Sequence, residues 1–304
     1  MKKPAKVELF MGLRRTRIDA SGYDKFFRIL VILSAFIVSV TILFIVLFIA
    51  KQGFHTFGEA NPVEFFLRTN WNPPYSYGAL TFIVGSFAVT FLALAIAGPI
   101  GAVGAVFVAK VAPRPVYKIM RPALDFFVGI PSVVYGWVGL SLLRPFIQRV
   151  TGESGYGLLL AGIILGVMIL PTVITIAGDS LRAVPKSIEK ASYALGATRL
   201  QTTWRVLLPA AAPGLITALI VALTRAIGET VAVQMVIGNS PLFPTSLLSP
   251  ASTLTSQIVT EMATTPFGST WNDTLFFMAL TLLLISLSMV VFIRLVVQRR
   301  LTGE

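Results

Sequence analysis

Six apolar runs constrain the fold of this chain more than any other feature of its sequence. They cover residues 26–50, 79–109, 123–143, 157–178, 210–237 and 274–297. Each run reaches the ~18–20 residues that a helix needs to cross a hydrocarbon core of ~30 Å. Only 12% of the residues are charged, against roughly 25% in soluble domains. The sequence therefore predicts an all-α polytopic membrane protein with six transmembrane helices.

The distribution of basic residues predicts how these helices are oriented. Seven segments flank or separate the runs, and 20 of the 25 Lys and Arg residues lie in or beside the first, third, fifth and seventh. Cytoplasmic loops carry the excess of Lys and Arg, so both termini are expected in the cytoplasm of a bacterial inner membrane. The net charge of +12 is spread along the chain, and this spread argues against a nucleic-acid partner.

The same pattern divides the chain into three regions. Residues 1–25 form a basic cytoplasmic segment, and residues 26–78 hold the first transmembrane helix and a periplasmic loop. Residues 79–300 form the main transmembrane domain, which includes a long cytoplasmic segment at 179–209.

This cytoplasmic segment is predicted to fold as a helix–turn–helix. Ser187 is placed to cap a helix over residues 188–195, and Gly196 is placed to end it. Thr198 is placed to cap a second helix that stops at Pro209. Ordered caps in a segment of this length favour a docking surface for a partner over a plain connecting loop.

The sequence shows no constellation for catalysis or for metal binding. It has no Cys and a single histidine, His55, which excludes disulfides, thiolate sites and multi-histidine metal sites. The dipeptide Gly-Lys never occurs, so there is no phosphate-cradling P-loop. We expect no cofactor on this chain, and work against a gradient would need energy from another chain.

Arg225 lies near the middle of the fifth run, and Glu229 follows four residues later. A charge at this depth costs about 2.5–3.5 kcal/mol on insertion scales, so such residues face a bundle interior or a water path. The spacing places both on one helix face. They either neutralise each other or line the route of a charged substrate, with Arg225 meeting an anion. We favour a role in the substrate route, because an internal ion pair is costly and apolar residues would pack as well.

A stripe of small residues on the same helix would let another helix approach closely. The stripe consists of Gly214, Ala218, Ala222 and Ala226.

Glycine and proline predict irregular backbone in two spans. Gly98 and Pro99 are expected to tilt or break the second span, and Gly129-Ile130-Pro131-Ser132 to break the third. Broken helices at membrane depth line cavities or partner interfaces, so these are candidate gating positions. Asp125, near the end of the third span, is interpreted as an interfacial residue.

The cytoplasmic segment resembles a known motif. Residues 190–196 read KASYALG and, after nine residues, 206–209 read VLLP. This is similar to the E-A-A, three residues, G, nine residues, I-x-L-P signature of ABC importer permeases. The resemblance implies a type I ABC importer transmembrane domain whose coupling helix sits in a cleft of a separate ATPase. Lys190 stands where the signature usually has Glu, and Glu189 precedes it. The implied ATPase contacts are Glu189, Lys190, Ala191, Gly196 and Ala197.

The fifth span narrows the resemblance. Residues 225–233 read RAIGETVAV and residues 238–241 read GNSP, which look like PstC-type permeases of phosphate-specific ABC importers. The stretch at 125–136, DFFVGIPSVVYG, supports the same assignment. By this resemblance, Arg225, Glu229 and Thr230 line the substrate pathway. Related sulfate permeases usually have Tyr where Thr230 stands.

The resemblance also implies an assembly. It would contain a homologous PstA-type permease, two copies of an ATPase that uses ATP and Mg²⁺, and an extracytoplasmic phosphate-binding protein, all within or beside membrane lipid. Alternatives are a permease for sulfate, molybdate or another oxyanion, an ion-driven secondary transporter or channel, and a membrane enzyme acting on lipid. The lack of catalytic residues argues against the enzyme. A secondary transporter would need more intramembrane acids than Glu229 and gives no reason for a docking segment.

Overall fold

A computed structural model of the protein describes residues 20–58 and 61–302. These residues are mostly helical, with one short antiparallel hairpin of strands β1 (Trp71–Asn72) and β2 (Ser76–Tyr77). The helices in the first half of the chain are α1 (Ala20–Phe54), α2 (Pro62–Leu67), α3 (Leu80–Val106), α4 (Arg114–Gly129), α5 (Ser132–Val138) and α6 (Arg144–Thr151). The remaining helices are α7 (Leu158–Ala183), α8 (Lys186–Ala194), α9 (Arg199–Thr202), α10 (Leu208–Ile227), α11 (Val231–Ile237), α12 (Leu254–Met262) and α13 (Thr270–Thr302).

Among the described residues, five helical stretches are long and apolar enough to cross a membrane. They are Asp24–Gly58, Leu80–Val111, Leu158–Ala183, Arg199–Ile227 and Thr270–Phe292. A sixth candidate is the pair Arg114–Gly129 and Ser132–Thr151, which is bent by 93° at its break. Counting this pair as one broken span gives the six spans that the apolar runs predict.

The chain divides into two units at Phe48. The described part of the first unit is helix α1 up to that residue, and apolar side chains such as Phe36 and Phe44 are exposed on it. A helix that is apolar all round and uncovered is typical of a span that faces lipid.

Helix α7 forms the centre of the second unit, where it packs against α3, α4 and α10. Leu160, Leu165 and Ile169 on α7 are fully buried in the main core. The predicted small-residue stripe of α10 meets this helix. A side-chain carbon added at Gly214 would lie only 2.0 Å from Ser180 Oγ, so close approach of the two helices requires glycine there.

The two predicted irregular sites behave differently. Helix α4 ends at Gly129 and α5 begins at Ser132, so the third span has the break that the sequence predicts. Of the tilt or break expected at Gly98 and Pro99, the break is wrong, because α3 runs unbroken from Leu80 to Val106 with Pro99 inside it, and the tilt stays a prediction. Proline removes one backbone hydrogen bond, but packing by neighbouring helices tolerates this loss in membrane spans. The irregular turn lies further along, as a wider π-helical turn at Phe107–Val111.

Candidate translocation site and coupling segment

Arg225 lies near the end of α10 and links three helices. One guanidinium nitrogen donates a 3.3 Å hydrogen bond to Thr172 Oγ1 on α7. Another donates a 3.3 Å hydrogen bond to the carbonyl oxygen of Val128, in the last turn of α4. Both acceptors are neutral, although guanidinium bonds are strongest with charged oxygens. The cation is therefore held in place by contacts that an anion could replace.

The break after α4 explains why a cation is needed here. The last carbonyls of a helix lack intrahelical partners and carry partial negative charge. Arg225 binds the Val128 carbonyl, and the hydroxyl of Tyr135 on α5 donates to the Phe127 carbonyl at 2.8 Å. Sequence reasoning missed Tyr135; the only local signal was a Tyr four residues beyond the Pro131 break.

The expectation that Arg225 and Glu229 lie on one helix face is wrong, and so is the alternative that they neutralise each other. Helix α10 ends at Ile227, Gly228 caps it, and α11 begins at Val231. Among the described salt bridges none joins Arg225 to Glu229. Glu229 Oε1 instead accepts a 3.3 Å bond from the Ala232 amide in the first turn of α11, where a carboxylate is favourable.

Thr230 lies at the same junction between α10 and α11. It is the residue that precedes α11, and its hydroxyl donates to the Gly228 carbonyl at 3.3 Å. The structure thus brings Glu229 and Thr230 together at a second broken span. Ends of discontinuous helices are the usual place for ion and substrate sites in membrane transporters.

A buried hydroxyl cluster lies beside this junction. Helix α12 starts with a capping box in which Thr253 and Ser256 bond reciprocally, and both are buried. Thr255 Oγ1 donates to the Glu229 carbonyl at 3.2 Å, and Ser86 Oγ on α3 accepts from the Leu254 amide at 2.9 Å. No apolar run covers this segment, so the sequence predicts no helix here, and the three-residue spacing of Thr253 and Ser256 is the local signal for α12.

The predicted helix–turn–helix is present, with two corrections. Helix α8 starts at Lys186 behind Pro185, so Ser187 is not its cap; the preset φ of Pro185 (−57°) begins the helix two residues earlier than predicted. Thr198 does cap α9, in a capping box with Gln201. Pro209 does not stop the second helix. It lies in the first turn of α10, where a missing N–H costs little.

The turn between α8 and α9 exposes apolar side chains. Gly196 adopts a left-handed conformation with φ +80°, and Ser192 and Thr202 share a buried 2.9 Å hydroxyl contact that ties the two helices. Leu195 is 89% exposed and Leu200 is 69% exposed. These two leucines on an ordered turn are candidate contacts for a partner.

The five predicted ATPase contacts do not form one surface. Ala191 and Gly196 are exposed and Ala197 is half-buried at the turn. Glu189 instead faces its own chain, where its carboxylate forms a 2.8 Å salt bridge with Lys110. Lys190 lines the same cavity as this pair.

Comparison with known proteins assigns the class of this chain. The family described as "Binding-protein-dependent transport system inner membrane component" matches residues 99–302. The chain belongs to this family, and it is an ABC importer permease.

Relatives place the chain within the family. The probable ABC transporter permease protein YqgH of Bacillus subtilis is 45% identical over 279 residues, which cover 90% of each chain. The phosphate transport system permease protein PstC of Mesorhizobium japonicum is 34% identical over 256 residues, covering 77% of each. The probable PstC of Methanocaldococcus jannaschii is 31% identical, with 80% of this chain and 85% of that one covered.

Solved structures share the fold. A chain of a bacterial alginate ABC transporter in complex with a periplasmic protein superposes with a TM-score of 0.60 at 13% identity, over 89% of this chain and 95% of that chain. A chain of the MetNI methionine ABC transporter superposes with a TM-score of 0.51 at 24% identity, over 74% of this chain and 94% of that chain. At these identities the likeness establishes the ABC importer transmembrane fold alone.

Proposed function

We propose that this chain is the membrane-spanning permease subunit of an ATP-driven phosphate importer. It forms half of the translocation path beside a homologous PstA-type permease. Two copies of an ABC ATPase dock on the pair, and an extracytoplasmic phosphate-binding protein delivers the substrate. Both termini lie in the cytoplasm, and the α8–α9 segment faces the ATPase.

Similarity to the PstC relatives is the observation that carries the choice of phosphate. Several PstC proteins are 31–34% identical over most of this chain. Arg225 fits that substrate chemically, because a guanidinium offers forked donors that match phosphate oxygens. Its two present bonds, both 3.3 Å and both to neutral oxygens, would be exchanged for shorter charge-assisted ones when an anion passes.

The α8–α9 turn supports the ATPase partner. Its leucines are exposed, and the left-handed conformation of Gly196 forms the turn that presents them. Movement of a docked ATPase would be transmitted from α9 to α10 without a flexible joint, because α9, the π-helical turn Thr203–Leu207 and α10 form one continuous helical stretch. Arg225 lies at the far end of that stretch.

Uptake by the whole complex tests the proposal. The complex would be reconstituted in vesicles that contain ATP, and entry of labelled phosphate would be measured with excess sulfate or molybdate as competitors. We expect phosphate uptake that depends on binding protein and on ATP hydrolysis and resists sulfate. Preferential uptake of sulfate or molybdate would assign another oxyanion, and uptake with a hydrolysis-deficient ATPase would point to a secondary transporter.

A further inference from the structure

A basic cavity of about 490 Å³ lies where α8 meets the ends of two spans. One wall is the inner face of α8, with side chains that recur at helical spacing: Lys186, Glu189, Lys190 and Tyr193. The opposite wall carries Lys110, after the end of α3, and Arg182, in the last turn of α7. None of Ala191, Gly196 and Ala197 lines it, so the cavity is separate from the apolar turn.

The charges in this cavity do not balance. Its single carboxylate, Glu189, is already paired with Lys110 at 2.8 Å. The Arg182 guanidinium stacks 3.9 Å above the ring of Tyr117, donates to the Val108 carbonyl at 3.0 Å and lies 4.0 Å from Asp179 Oδ1, so its charge is already paired outside the cavity. Lys186 and Lys190 are exposed, and neither has a salt bridge within the described parts of the chain. The ammonium groups of Lys186 and Lys190 are thus available to an anion.

The position of the cavity indicates which anion fits. Lys110 and Arg182 lie at the same ends of the spans Leu80–Val111 and Leu158–Ala183, which is the level of lipid headgroups. Ala109 and Val184 add apolar surface to the walls. Basic pockets at span ends on the cytoplasmic side are suited to anionic headgroups. We propose that this cavity binds the headgroup phosphate of an acidic phospholipid, which bridges α8 to the ends of α3 and α7.

Native mass spectrometry of the full chain in detergent micelles tests this site. Retention of phosphatidylglycerol would be titrated for the wild type and for the double variant Lys186→Gln/Lys190→Gln. Each basic residue near an anionic surface contributes about 1 kcal/mol, so we expect retention to weaken about thirtyfold. The matched control is Arg114→Gln/Lys118→Gln, which removes two exposed charges on α4 that do not line the cavity. Phosphatidylglycerol retention by this control is expected to stay within about twofold of the wild type.

Competition experiments on the wild-type chain provide the second measurement. We expect phosphatidylglycerol to be retained at least tenfold better than phosphatidylcholine and to resist millimolar inorganic phosphate. Equal retention of the two lipids, or equal losses in the test and control variants, would overturn the proposal. Displacement by inorganic phosphate would also overturn it, because the cavity would then be a site for a soluble anion.

Discussion

Arg225 and Glu189 are charged residues in the proposed substrate pathway and in the proposed docking segment, and they are held differently. Arg225 is inside a span and donates two 3.3 Å bonds to neutral oxygens. Glu189 is in the segment outside the spans and accepts a 2.8 Å salt bridge from Lys110. The charge near the end of the span is therefore weakly engaged, whereas the charge outside the spans is satisfied within the chain. This contrast fits the proposed roles, because a substrate site needs a charge that can change partners, and the docking surface proposed at the α8–α9 turn can rely on apolar shape.

Replacing Arg225 is expected to have the largest effect. Arg225→Gln removes the charge but keeps hydrogen-bonding capacity toward Val128. Bonds to a charged group contribute about 1.5–3 kcal/mol each, so loss of two such bonds to a passing anion predicts at least a 100-fold fall in phosphate uptake. Uptake by the reconstituted complex is the measurement, and subunit assembly should be intact by size-exclusion chromatography.

Thr172→Val is the matched control for this variant. It removes one partner of the Arg225 guanidinium and leaves the charge in place, so a loss of less than about fivefold is expected. Normal uptake by Arg225→Gln would rule out a pathway role. The residue would then serve only to cap the end of α4.

Replacing Gly196 tests whether the ATPase docks at the α8–α9 turn. Its φ is +80° and no atom outside its neighbours lies within 4 Å of a side chain added there. Gly196→Leu would therefore act through backbone strain of about 1–2 kcal/mol and through bulk at the exposed turn. We expect about a tenfold loss of ATPase co-purification and of ATP-driven uptake.

Gly152 provides a closely matched control for backbone strain. It also has a positive φ, +76°, with nothing within 4 Å, and it caps α6, away from the coupling segment. Gly152→Leu should strain the chain similarly and leave ATPase association unchanged. If both variants lose the ATPase equally, the loss reflects general destabilisation and the docking assignment of the turn fails.

Glu189 is predicted to matter less than the motif suggests. Glu189→Gln breaks a partly exposed salt bridge, and such pairs contribute about 0.2–1 kcal/mol. We expect a small fall in melting temperature and a change in uptake of no more than about twofold. A tenfold loss of ATPase co-purification without a change in melting temperature would show that the carboxylate contacts the ATPase after all.

Sequence patterns predicted those features that local chemistry decides. Apolar runs predict the spans, and Thr198 caps α9 through Gln201, only three residues away. Pro131 ends a helix because proline disfavours helical backbone in the preceding residue. Contacts between distant segments decided the rest. Helix α10 stops before Glu229, whose carbonyl accepts a bond from Thr255 on α12, and Ser86 on α3 accepts a bond from the first amide of α12. No local pattern contains those partners.

Replacing Gly98 is expected to have the smallest effect, and it tests whether a Gly-Pro pair inside a span marks a gating position. A side-chain carbon at Gly98 would meet only Leu219 Cδ2, at an ordinary 3.6 Å. Because α3 is continuous there, Gly98→Ala should leave uptake within about twofold and raise stability by up to ~1 kcal/mol, since alanine favours the helix.

Gly214→Ala is the contrasting variant, because its added carbon would lie 2.0 Å from Ser180 Oγ and overpacking costs about 1–3 kcal/mol. Thermal melting and uptake of both variants are the measurements. A tenfold loss of uptake in Gly98→Ala at unchanged melting temperature would mean that this unbroken helix bends during transport, and Gly98 would regain the gating role that the sequence predicted.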